Sequence, residues 1–330
     1  MMSFRYFPIL FAAFATTANA QSDSATCATG NDDVRVAALS SLAQMDPDQV
    51  LPVMKKILER RDACSIALRR QVIGIVSRSR YGEQTDLLLN VARADPSTEL
   101  RRYAVQALSQ SNTERNASAL DSILFGSSDN DLRDAALRAL ANQTVPTARA
   151  TLRRAAELST FPVDLRVRAV NYMGYGRRGG ADETPYLIGF YAKADHPDVR
   201  DAILRTIANQ HTPEATNWLL GIARDKSRDI EVRRQALSAV GQSVRANESS
   251  TTGIDLKALL GLYEDFAGQL EMQDRVLDVI SQRPETLATD KLLQIARTET
   301  NPELRRKAVL RVGQRRDPRV RDFLLEVLSK

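Results

Sequence analysis

Residues 95–110 (DPSTELRRYAVQALSQ) are echoed eight more times along this chain, from residue 34 to residue 314. Aligned on Leu100, the equivalent first positions are Val34, Leu68, Leu132, Leu165, Val199, Val232, Met272 and Leu304, spaced 32 to 34 residues apart except for one step of 40. A fixed period of that length restricts the chain to stacked helical hairpins, since each unit buries its apolar stripe only against the next. Four, five and eight places after each first position the residues are apolar, as in Ala104, Val105 and Leu108. That spacing traces one stripe of an α-helix and cannot trace the face of a strand.

Three further columns accompany the stripe. One place after the first position stand Arg35, Arg69, Arg101, Arg133, Arg166, Arg200, Arg233 and Arg305, with Gln273 in the eighth unit. A periodic arginine is placed to pair with an acid in its own or the adjacent turn, and Asp62, Asp95, Asp129, Asp164, Asp195 and Asp229 each precede one of these helices. Nine places on, every unit carries a small residue, Gly174 and Gly241 among them, so the helix end can approach its neighbour closely. Ten places on, Gln44, Gln110, Asn142, Asn209, Gln242, Gln282 and Gln314 are expected to form a structural ladder where the last carbonyls of each helix lack partners.

Between the echoes, apolar segments at 48–59, 83–93, 114–124, 147–157, 183–193, 213–224, 255–266, 287–297 and 317–329 supply a second helix per unit. Past the leader, the prolines are expected in turns or first helical turns, where a missing N–H does no harm. The expected fold is all-α, an α-solenoid (superhelix) of about nine helical hairpins.

The pattern D-P-x-x-x-L-R-x-x-A-V-x-A-L-x-Q resembles HEAT repeats, particularly the short kind found in phycobilisome lyase subunits. The likeness covers roughly residues 31–330. It implies the solenoid fold and says little of function.

Residues 1–20 read as a secretory signal peptide, with Arg5 in the n-region, an apolar core from Tyr6 to Thr17, and Ala18, Asn19 and Ala20 as the cleavage site. Residues 21–30 then form an N-terminal extension and 31–330 a single solenoid. The apolar run is too short to cross a bilayer of about 30 Å, and no later segment is apolar enough. The only cysteines are Cys27 and Cys64, leading into the first two echo helices on the same edge of adjacent layers. In an oxidising compartment they are expected to pair, contributing about 4 kcal/mol in the chain-entropy treatment. Without the leader, 45 basic residues face 41 acidic ones, both signs interspersed, which reads as a solvated surface and not a nucleic-acid footprint.

Two stretches depart from the period. Residues 243–255 carry the extra length of the 40-residue step and read as a protruding loop; residues 175–184, with three glycines and two arginines, read as a flexible basic turn.

Reactive constellations are missing. The only histidines, His196 and His211, stand in polar turns, and no Cys/His set has metal-ligand spacing, so no metal, no cofactor and no catalytic residue is expected. The paired His-Glu motifs of HEAT-repeat di-iron hydroxylases are absent too. Places two and six after each first position are the least apolar of the echo helix and are expected to face the concave side. There, Asp134 with Arg138 and Asp201 with Arg205 form favourable i,i+4 pairs. Arg70, Arg102, Arg234 and Arg306 have no such i,i+4 acid and are the candidates for contact with a partner. The expected function is that of a non-enzymatic scaffold, exported to the periplasm or outside the cell, monomeric, and binding a protein or peptide on this face. The resemblance also implies an accessory subunit of a bilin lyase, and a nucleic-acid-binding HEAT-like protein stands as a third reading, opposed by acids in the groove.

Overall fold

The computed structural model describes residues 32–45, 47–79, 82–175, 180–246 and 256–329. Among them every long element is an α-helix, and no strand occurs. The helices are α1 (Asp32–Leu42), α2 (Pro47–Leu58), α3 (Ile66–Arg78), α4 (Gln84–Ala94), α5 (Thr98–Leu108), α6 (Glu114–Gly126), α7 (Asn130–Ala141), α8 (Pro146–Glu157) and α9 (Val163–Tyr175). They continue with α10 (Gly180–Tyr191), α11 (Pro197–Ala208), α12 (Pro213–Arg224), α13 (Ile230–Ala246), α14 (Leu256–Asp265), α15 (Leu270–Ser281), α16 (Thr286–Thr298), α17 (Pro302–Gly313) and α18 (Pro318–Ser329). The odd-numbered helices are the nine echo helices; the even-numbered ones fill the segments between them.

The chain divides into two compact units, Met1–Gln71 and Val72–Lys330. The first contains α1, α2, a short 3-10 turn at Ala63–Ser65 and the start of α3. Its core includes Leu39, Val50, Met54 and Leu58. Arg69 is wholly buried and its Nη2 donates to the Asp62 carbonyl at 3.3 Å. Cys64 is disulfide-bonded. Cys27 lies outside the described residues, as do the leader at 1–20 and the extension at 21–30.

The second unit is an α-solenoid. Each echo helix rests on the next, α5 on α7 and so on to α17, while α4, α6 and α8 form the opposite layer. An echo helix packs more extensively on the helix before it than on the one after, so the hairpins are α4–α5, α6–α7 and their successors. The stripe supplies the reason: Leu100, Ala104, Val105 and Leu108 are all buried. Each such leucine contributes about 1.5–3 kcal/mol by leaving water. Helix starts are fixed by side-chain caps, Ser97, Thr113, Asp129, Thr212 and Asn301 each accepting a backbone N–H of the first turn.

The arginine column ties layers together. Arg166, 2% exposed, donates from Nε to the Ala156 carbonyl at the end of α8 (3.0 Å) and from its terminal nitrogens to Asp195 in the next layer's turn. Arg233 repeats this with the Ala223 carbonyl (2.9 Å) and Gln269 (2.6 Å). Arg200 reaches the Ala194 carbonyl, and Arg101 reaches Asp129 at 3.4 Å. Arg133 instead lies over the Phe161 ring, while Arg35 and Arg305 are exposed. Gln273 keeps the carbonyl contact alone, to Tyr263 at 3.4 Å.

The amide column differs from the expected ladder. Asn142, Asn209, Gln282 and Gln314 are C-cap residues, and the Asn142 amide turns back to the Arg138 carbonyl of its own helix (3.2 Å). Gln110 accepts from the Ser77 hydroxyl across the layers at 3.2 Å. Gln44 is exposed, and the side chain of Gln242 lies outside the described residues. The contact from layer to layer is made one residue later: Gln143 donates to the Leu108 carbonyl (3.3 Å), and Arg315 to the carbonyls of Ile280 (3.0 Å) and Ser281 (3.2 Å). In these two units the side chain after the C-cap is the one that points back at the preceding layer.

The small-residue column makes the expected close approach at two points. A methyl group on Gly174 would lie 2.6 Å from the Thr206 side chain, and one on Gly241 2.9 Å from Val279.

Three expectations are corrected. Pro52 and Pro185 lie inside α2 and α10, in the second turn and not the first. In the second case α10 begins at Gly180, earlier than the apolar pattern indicates, so residues 180–184 are helical and not part of a loop. Glu183 near its start suits the positive end of the helix dipole. Similarly α13 runs on to Ala246, so the expected loop at 243–255 starts later; residues 247–255 lie outside the described ones.

Candidate partner-binding face

The exposed side of the echo-helix layer is built from two pairs of columns. Places two and six of one helix meet places three and seven of the next, because a 33-residue step returns the same face one layer further on. Asp134 shows the rule: buried to 10% side-chain exposure, it pairs with Arg138 of its own turn (2.8 Å) and with Arg168 of α9 (3.1 Å). The Tyr172 hydroxyl donates to the same carboxylate at 3.1 Å. Lys307 reaches Asp274 at 2.8 Å, and Arg311 reaches Asp278, in the same register. Asp201 pairs with Arg205 within α11 at 2.8 Å.

These pairs are asymmetric in depth. Asp134 and Asp201 are 10% and 30% exposed, whereas Arg138 and Arg205 are 66% and 51% exposed. In these two pairs the carboxylate is turned inward and the guanidinium group outward, so each offers hydrogen-bond donors to whatever approaches. Arg138 is held above its ordinary pKa by its hydrogen bond to Tyr172 and by Asp134, and Arg168 by its bond to Asp134. Both remain cationic at any physiological pH.

Between α5 and α7 the register opens. Places three and seven of α7 are Ala135 and Ala139, which have no reach, so neither crosses to cover Arg102 and Gln106. A groove of about 380 Å³ results, floored by these alanines and walled by Arg102, Gln106, Arg138 and Asn142. Arg102 is half exposed and 3.9 Å from Asp131 across the layer. The groove therefore presents two guanidinium groups and two amides beside the carboxylates of Asp131 and Asp134, a set of balanced charge whose donors suit peptide carbonyls and carboxylates.

The other candidate arginines fare differently. Arg234 has no i,i+4 acid but is engaged all the same, 3.0 Å from Glu231 and 3.8 Å from Glu271. The acids that hold it stand three residues before it and one layer on, not at the i,i+4 spacing. Arg306 is exposed, without an ion pair among the described residues. Arg70 is exposed on α3 in the first unit. Sequence reasoning missed Arg168, Tyr172, Lys307 and Arg311. The signal was an acid at place two or six followed 33 or 34 residues later by a base at place three or seven.

Among the described residues no cluster of His, Cys, Asp or Glu could hold a metal ion, and no helix is long and apolar enough to cross a membrane. The HEAT repeats family model matches residues 25–109 and 85–171. The first match ends where α5 ends and the second begins with α4, in phase with the hairpins. The chain is a HEAT-repeat protein. Its HEAT-repeat packing continues beyond the matched residues to α17 and α18. No curated protein matches the chain.

Proposed function

We propose that this HEAT-repeat protein is an exported, non-enzymatic scaffold that engages a protein or peptide partner along the echo-helix layer. The groove between α5 and α7 is its anchor point. The observation that carries the reading is the alanine floor of that groove, beneath the outward guanidinium groups of Arg102 and Arg138, the second of which has its own carboxylate buried. An extended segment bearing Asp or Glu side chains would find donors at Arg102 and Arg138 without displacing a buried partner. Export is supported by the leader read in residues 1–20 and by a cysteine pair suited to an oxidising compartment.

The test places a photo-crosslinking residue at Gln106 of the full-length protein, expressed in its own host with its leader intact. N-terminal sequencing of the mature chain should begin at Gln21. A defined adduct should form in the envelope or medium and disappear on Arg102→Glu with Arg138→Glu. An adduct indifferent to both reversals would refute the groove, and a retained leader would refute export.

A further inference from the structure

The turn edge between α15, α16 and α17 holds a polar pocket of about 390 Å³ whose lining includes Arg283, Arg315 and Arg316 with a single carboxylate, Asp317. Local pairing removes part of this charge. Arg283 is taken up by Glu285, and Asp317 by Arg319 at 2.7 Å. Arg315 and Arg316 are left with no ion pair among the described residues.

Arg315 is the unusual member. Its terminal nitrogens donate to the carbonyls of Ile280 and Ser281 and to the Thr289 hydroxyl at 3.1 Å, and its Nε is buried without an acceptor among the described residues. Burial pushes its pKa down, against the pull of Glu285 and Asp317. A strut to the preceding layer needs no charge here: at the equivalent place in α7's layer, the neutral amide of Gln143 makes the same bond. The cation is thus in excess of what the fold requires, and partly desolvated cations are costly unless an anion answers them.

Two further groups point the same way. Thr289 accepts from Arg315, so its own hydroxyl proton is free to donate. Helix α16 starts at the pocket with Glu285 as N-cap, and that side chain makes no cap bond because it is turned to Arg283. The positive end of the helix is therefore uncapped by any side chain.

We propose that this pocket binds an oxyanion of the phosphate class, held by Arg315 and Arg316, with Arg283 and the Thr289 hydroxyl as further donors. A phosphate carries about two negative charges near neutral pH and several acceptor oxygens, matching two unanswered guanidinium groups better than a carboxylate would. The pocket has room for a phosphoryl group and part of whatever bears it.

The test titrates the full mature chain with inorganic phosphate and separately with glycerol phosphate, at ionic strength held constant with sodium chloride, following thermal stability and phosphorus NMR line width. Because phosphate stabilises proteins generically, the expected result is a saturable rise in Tm, absent with chloride. Arg315→Gln copies the natural strut at Gln143 and should fold, yet weaken binding at least tenfold, as should Arg316→Gln. Tighter binding of glycerol phosphate would assign the rest of the pocket to an esterified ligand, and tighter binding of inorganic phosphate to the free ion. No saturable response, or one that survives in the Arg315→Gln, Arg316→Gln double variant, would overturn the proposal.

Discussion

Arg166 offers the sharpest test of what joins one layer to the next. It is buried, caps the last turn of α8 through the Ala156 carbonyl, and pairs with Asp195, itself about half exposed. Replacing it with Met keeps the volume and removes both contacts. The charged hydrogen bond to a buried carbonyl is worth about 1.5–3 kcal/mol. The pair with half-exposed Asp195 is weakened by solvent screening and adds little to this. Arg166→Met should therefore cost about 1.5–3 kcal/mol. Arg166→Gln should cost only about 1 kcal/mol, because Gln273 occupies the same column and still reaches the Tyr263 carbonyl. Urea denaturation followed at Trp218, which packs edge-on against Tyr191 in α10, reports this region. Hydrogen exchange of the α8 and α9 amides guards against non-two-state unfolding, expected of a repeat array. If Gln proved as damaging as Met, the ion pair to Asp195 and not the carbonyl cap would hold the seam, and the reasoning would fail.

Gly174→Ala and Gly241→Ala should each cost about 1–3 kcal/mol, since the new methyl would meet Thr206 or Val279 well inside contact distance. Gly189→Ala and Gly221→Ala, with open space around the added carbon in helices α10 and α12, should instead stabilise by up to about 1 kcal/mol, read as urea midpoints. Asp134→Ala should cost about 1–2 kcal/mol through the lost Tyr172 and Arg168 contacts, while Asp134→Asn recovers part of it. Asp195 and Asp317 are held below the ordinary value of 3.8, chiefly by hydrogen bonds from Arg166 and Arg319. Their contribution is full above that value and is lost as pH falls through the lowered folded values, so stability should decline at pH below about 4, and Asp195→Asn should flatten the decline. Non-reducing peptide mapping should recover Cys64 joined to Cys27, and both becoming alkylatable without reductant would exclude the pairing.

Much of the stack was legible because burial in a repeat array is enforced once per layer. Leu100, Ala104, Val105 and Leu108 have no choice but to face the core, and their counterparts repeat them. Helix ends were less legible, being set by single caps and dipoles: α10 starts at Gly180 against the apolar pattern, and places Pro185 in its second turn. The amide column was visible in sequence, and its members differ in what they reach, Asn142 the Arg138 carbonyl of its own helix and Gln110 the Ser77 hydroxyl of the layer before. On the exposed face, the pair of Asp134 and Arg138 is plain within one helix, whereas the bonds from Arg168 and Tyr172 cross between layers and leave only a faint trace in offsets of 34 and 38 residues. The groove itself was written in what is small, Ala135 and Ala139, and small residues draw no attention when partners are sought among charges.

At Gln273 the fastening between layers changes hands. Elsewhere in the second unit Arg166 and Arg233 bolt the end of one helix to the turn beyond, whereas Gln273 grips only backward, to Tyr263. The seam after α15 is held instead from the far side, by Lys307 on Asp274, Arg311 on Asp278 and Arg315 on the Ile280 and Ser281 carbonyls, so its strength rests on α17 reaching back and not on α15 reaching forward.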